Sequence, residues 1–109
     1  MTRRPARGEV WLIALDPTMG REIKKARPCL VVSPDELNHG LDTVLIAPMT
    51  TGSHPYPFRT PCRFQGKQGH VVLDQLRVVD RVRLVKRLGT IDRETLARAL
   101  EILQEMFAA

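Results

Sequence analysis

The chain has 109 residues and a mass of 12.3 kDa, one domain's worth, and its 43% hydrophobic and 27% charged residues exclude a disordered or collagen-like chain. The net charge of +5 is uneven: residues 1–90 carry 15 Lys/Arg against 8 Asp/Glu, residues 91–109 only 2 against 4. A basic body suits a polyanion, either nucleic acid or an acidic protein segment, but it also keeps a small protein in solution, and charge alone does not choose.

Residues 1–7 read as a flexible basic tail with Arg3, Arg4 and Arg7. The tail leads into no apolar core of signal-peptide length, so the cytoplasm is the expected compartment. Val10 to Leu15 reads as the first strand, followed by the turn cluster Asp16-Pro17-Thr18-Met19-Gly20. Pro28 to Ser33 is the second strand, stopped by Pro34. Asp35–Asn38 then predicts one helical turn capped by Asp35. Thr43 to Ala47 is the third strand, closed by Pro48. Phe58–Phe64 alternates, but Pro61 places it at an edge or a bulge. His70–Leu73, Leu76–Val79 and Val85–Leu88 complete the strands, with Gly66 and Gly69 marking the turn before them.

The last segment changes period. Asp92 is a good N-cap, Glu94 sits in the first turn, and Leu96, Ala99, Leu100, Leu103, Met106 and Phe107 share one helical face. A helix over 92–107 is expected to pack on the sheet, with Glu101 and Glu105 in water. The whole reads as a single domain over 1–109, mainly β with a C-terminal helix, as a small barrel or two packed sheets. The longest apolar runs, near Leu30–Val32 and Val44–Ala47, fall far short of the roughly twenty residues a bilayer needs, so no membrane span is expected. Cys29 and Cys62 form no Cys-x-x-Cys pair and read as small buried or half-buried thiols. His39, His54 and His70 have no convergent spacing, so neither a paired-histidine nuclease nor a metal site is expected. Trp11 is most simply a packing residue.

Polar residues gather in three strand-end loops, Met19–Arg27, Met49–Pro57 and Leu73–Arg77. Several stretches, in order, resemble the MazF/PemK family of toxin endoribonucleases. They are Arg7-Gly8-Glu9-Val10-Trp11, Asp16-Pro17-Thr18 with Gly20, and Arg27-Pro28-Cys29-Leu30-Val31-Val32-Ser33-Pro34. Pro48-Met49-Thr50-Thr51, Tyr56-Pro57-Phe58, Asp74-Gln75-Leu76-Arg77 and the Leu88-Gly89 step follow, so the likeness runs from about Arg7 to Phe107. It implies a compact SH3-like barrel of the MazF/PemK/CcdB toxin type, a homodimer, and cleavage of single-stranded RNA without metal or cofactor. It also implies a cognate antitoxin whose acidic C-terminal tail lies over the groove. The arginine of the Arg-Pro step and the first threonine of the Thr-Thr step are the family's catalytic pair, here Arg27 and Thr50. The Arg-x-Asp pair that some members carry on the third loop is absent, because Val72 stands two positions before Asp74.

Phosphate chemistry suits these choices. When a neighbouring 2′-OH attacks phosphorus, negative charge collects on the phosphoryl oxygens, and a guanidinium meets them with paired donors as lysine cannot. Arginine is a poor base at neutral pH. Arg27 therefore takes a charge-stabilising or acid role, and Glu22 is the candidate base or orienter. Lys24, Lys25 and Thr51 are candidate backbone contacts, Tyr56 or His54 could stack on an unpaired base, and Gln75 and Arg77 could read base edges. Asp74 reads as a structural group bonding turn amides. Two other functions compete: a non-catalytic module for nucleic acid or an acidic peptide, and a gyrase poison of the same fold. The chain ends Met106-Phe107-Ala108-Ala109 and lacks the tryptophan tail of those poisons.

Overall fold

Prolines and glycines cut the first ninety residues into short extended pieces, and seven of them pair. The computed structural model describes residues 4–15, 26–52 and 55–109. Within these, the strands are β1 (Glu9–Ala14), β2 (Ala26–Val31), β3 (Thr43–Thr51), β4 (Arg59–Phe64), β5 (Lys67–Val72), β6 (Arg77–Asp80) and β7 (Leu84–Thr90). Helix α1 (Asp35–Gly40) links β2 to β3, and α2 (Arg93–Met106) closes the chain. All pairings are antiparallel, in the order β4-β5-β3-β2-β1-β7, with β6 also on β3. β4 ends one side, the edge position that Pro61 requires. Among the described residues the strand path is not closed by pairing, and the arrangement is compatible with the expected barrel.

β3 organises the sheet. Its first part pairs with β2 and β6, and its last three residues pair with β5. Met49 faces Val71, so a continuous register would set Ile46 against Asp74. Ile46 instead faces Arg77, and the 3-10 turn Leu73–Gln75 takes up the three extra residues. β5 and β6 are thus one partner of β3 with a turn looped out. The sequence places the end of β3 at Ala47, but the strand runs through Pro48 to Thr51. Pro48 is tolerated because it falls between the β6-paired and the β5-paired stretches of β3.

Strand alternation splits the core in two. Val10, Leu30, Ala47, Met49, Val71 and Leu73 face α2, where Ala99 and Ile102 are buried. Trp11, Ile13, Cys29, Val31, Val44, Ile46 and Val79 form the opposite cluster. Fully burying a side chain such as Leu30 or Ile46 is worth about 1.5–3 kcal/mol. The Asp92 carboxylate accepts from the Thr95 amide at 3.0 Å and its hydroxyl at 2.7 Å, the expected N-cap. Glu101 and Glu105 are exposed, as expected, and each pairs with Arg98.

Three local expectations are corrected. Phe107 is 73% exposed rather than packed on the sheet, because the chain leaves the helix at Met106 and Ile102 takes the central core position. Pro34, without a side-chain bond, occupies the N-cap of α1; Asp35 instead accepts the Arg7 amide at 2.7 Å. The basic segment is not a loose tail from Arg4 onward: Pro5 is fully buried, and Arg7 Nε donates to the Val32 carbonyl at 2.9 Å.

Candidate active site

Arg27 stands near the start of β2 and Thr50 near the end of β3, where the two strands part. The β2–β3 ladder sets Cys29 against Pro48, and the same register carried two residues further sets Arg27 across from Thr50. The ladder ends before that point for a chemical reason: Pro28 has no N–H to donate. Alternation places Arg27 in line with Cys29 and Val31, and Thr50 in line with Val44 and Ile46. Both belong to one face of the sheet.

A groove of about 480 Å³ opens at this fork. Arg27, Pro28, Met49, Thr50 and Thr51 form one wall, and Cys62, Phe64, Gln65, Lys67, Gln68 and Gly69 of the β4–β5 hairpin form the other. A neighbouring depression of about 590 Å³ shares Cys62, Gln68 and Gly69 with it, but has His70, Arg63, Asp92 and Thr95 in place of the Arg27–Thr50 pair.

Arg27 and Lys67 are the cations among the described residues that line the groove. Arg59, Arg81, Arg87 and Arg98 each hold a carboxylate, whereas the exposed Arg27 makes no ion pair with a described residue. The Thr50 hydroxyl is buried and has no hydrogen-bond partner among the described residues. A groove in which, among the described residues, neither the guanidinium nor the hydroxyl has a partner is equipped to meet an oxyanion. The thiols are not nucleophiles here. Burial pushes Cys29 up to about 12 against the opposing pull of Arg27 and Arg77, and burial, with Asp92 adding, also raises Cys62.

Residues 6–107 match the family described as PemK-like, MazF-like toxin of type II toxin-antitoxin system. The chain belongs to this family. It is 33% identical over 93 residues to the endoribonuclease toxin MazF of Escherichia coli (strain K12), covering 84% of each chain. It is 28% identical over 104 residues to the endoribonuclease EndoA of Bacillus subtilis (strain 168), covering 90% of each. Among solved structures it is similar to MazF from Deinococcus radiodurans, with a TM-score of 0.79, 27% identity, and 95% and 96% of the two chains covered. A chain of the MazE-MazF complex from that organism superposes with a TM-score of 0.73 at 29% identity, again covering 95% and 96%.

In this MazF/PemK toxin the structure brings together Arg27, Thr50 and Thr51 of the residues singled out from sequence. Glu22, Lys24, Lys25 and His54 lie outside the described residues. Tyr56, Gln75 and Arg77 do not line the groove. Tyr56 carries the Arg59 guanidinium 4.8 Å from its ring centre, and Arg59 in turn forks onto Asp74 at 2.9 and 3.1 Å. Asp74 is therefore structural, but chiefly through Arg59, which pulls its carboxyl below the ordinary range. Gln75 is exposed in the 3-10 turn, while Arg77 is half-buried and donates to the Leu15 carbonyl at 3.1 Å, so the structure anchors it to β1's end. Sequence reasoning missed the hairpin wall, Phe64, Gln65, Lys67 and Gln68. Lys67 and Gln68, polar residues following the Gln65-Gly66 turn, were the available signal.

Proposed function

We propose that this toxin is a sequence-specific endoribonuclease that cleaves single-stranded RNA without a metal ion, by attack of the 2′-OH on the adjacent phosphorus. One observation carries the reading: an arginine free of ion pairs among described residues stands on the same groove wall as a buried hydroxyl with no partner among them. As the 2′-O–P bond forms and the P–O5′ bond breaks, charge grows on the non-bridging oxygens. Arg27 meets that charge with two donors, and Thr50 donates a third hydrogen bond or orients the 2′-OH. Glu22 is the proposed base or orienter. The 2′-OH proton goes to that base, the departing O5′ takes a proton from Arg27 in its acid role or from water, and cleavage leaves a 2′,3′-cyclic phosphate and a 5′-hydroxyl. Lys24, Lys25, Thr51, His54, Tyr56, Gln75 and Arg77 are the proposed RNA contacts outside the reacting phosphate. The toxin acts in the cytoplasm as a homodimer, and the acidic C-terminal tail of its antitoxin competes with RNA for the basic groove.

Purified protein incubated with a long single-stranded transcript and a chelator is expected to give discrete fragments with those ends, and Arg27→Ala to give none while remaining folded. Intact RNA beside an active control nuclease overturns the reading. Salt-sensitive binding without cutting would instead identify a non-catalytic nucleic-acid module.

A further inference from the structure

We infer that Gly69 is a positioning residue for Thr50, a role that rests on the catalytic reading of Thr50 given above. Gly69 is buried in β5, opposite Thr51. A Cβ placed on it would lie 1.7 Å from the Thr50 carbonyl oxygen, 2.8 Å from the Thr50 carbonyl carbon and 3.0 Å from the Thr51 Cα. All three are backbone atoms, so no side-chain rotation relieves the overlap. Opening the first distance from 1.7 to 3.0 Å, the shortest that real Cβ atoms show, moves the Thr50 peptide or β5 by more than an ångström. The backbone of Gly69 is not in the left-handed region, so the requirement is for room and not for conformation.

The displacement falls on Thr50 because β3 is lightly tied there. Only Met49, Thr50 and Thr51 pair with β5, followed by one bond from the Gly52 amide to the Gln68 carbonyl at 3.0 Å. On its other side the β2–β3 ladder has already ended at Cys29–Pro48. The Thr50 peptide thus rests against the hydrogen-only face of Gly69, which fixes where its hydroxyl stands relative to Arg27. A misplacement of about 1 Å in a reacting constellation costs about a hundredfold in rate.

The test compares Gly69→Ala with Gly40→Ala, a glycine of ordinary φ with nothing within 4 Å of an added Cβ. Gly69→Ala is expected to lower kcat about a hundredfold and leave KM within about threefold, because Arg27 and Lys67 still engage the RNA. Gly40→Ala is expected to behave as wild type. Adding Gly69→Ala to Thr50→Ala should cause no further loss, whereas a general structural role would lower the rate again. Wild-type kcat in folded Gly69→Ala overturns the inference, as does full additivity in the double variant. If Gly69→Ala does not fold, it is assayed in trimethylamine N-oxide beside the destabilised core variant Val71→Ala. Recovery of cleavage by both variants then overturns the inference; recovery by Val71→Ala alone supports it. If Thr50→Ala cleaves as wild type, the catalytic reading itself fails, an outcome distinct from an active Gly69→Ala beside an inactive Thr50→Ala.

Discussion

Glu9 on β1 and Arg87 on β7 are joined by a 2.8 Å ion pair across the strand pair that completes the sheet. The same carboxylate accepts from Trp11 Nε1 and from the Ala6 amide, both at 2.9 Å. Burial pushes the Glu9 carboxyl upward, but the bonds from Trp11, Ala6 and Arg87 outweigh it and the net shift is below the ordinary 4.5. A group whose folded pKa is depressed stabilises the fold above its unfolded value and loses that contribution as pH falls through the folded one. Wild-type stability is therefore expected to drop as pH falls below about 4.5. Glu9→Gln should lose about 2 kcal/mol at neutral pH and show a flatter acid limb. Urea midpoints between pH 7 and 3 measure both.

Thr50 is expected to separate stability from activity. Thr50→Val removes a buried hydroxyl that has no partner among the described residues, so the fold should be unchanged or gain about 1 kcal/mol. Cleavage should fall about a hundredfold, as for loss of one oxyanion donor. Thr50→Ser retains the hydroxyl and should retain most of the rate. Thermal melts paired with single-turnover cleavage read out the two effects.

At Arg27 the charge and the fork geometry can be distinguished. Arg27→Ala is expected to lower kcat/KM by about a thousandfold and the slope of RNA binding against salt by about one. Arg27→Lys restores the slope but not the paired donors, so it should bind nearly as wild type and cleave poorly. Binding to RNA with a 2′-deoxy nucleotide at the cleavage site, over a salt series, separates these outcomes.

The turn at α1 supplies a control outside the groove. Asn38 is fully buried, donates to the Ser33 carbonyl at 2.9 Å, and accepts from the Ser33 hydroxyl. Asn38→Ala takes the donor from the Ser33 carbonyl and the acceptor from the Ser33 hydroxyl, which keeps only the Leu45 amide at 3.1 Å, and should cost about 2–3 kcal/mol. Cleavage per folded molecule should not change. Urea denaturation and activity normalised to folded fraction check the pair.

What the sequence makes legible here is local. Helix α2 declares itself through its cap at Asp92 and its apolar spacing, and β1, β2 and the first half of β3 through their apolar runs. Partner choice is not local, and this is why Pro48 reads as a stop although β3 continues through it. Only the step from β6 to β5 on one side of β3, which leaves Pro48 between the two pairings, explains how a proline fits there. The same limit applies to the groove. Arg27 and Thr50 emerge from the family likeness, but their opposite wall comes from a hairpin whose approach depends on Gly69 lacking a side chain. The exposed Phe107 shows the other weakness of pattern reading: periodicity continues for one residue after the helix has ended.

The β1–β7 pairing also bears on how the molecule comes into being. Glu9 is set against Thr90, and Val10 against Gly89, so β1 must wait for a partner strand far along the chain. Ile91, Ala99 and Ile102, which complete the larger apolar cluster, are translated later still. Such high contact order is expected to slow closure of the sheet relative to a fold built from local contacts.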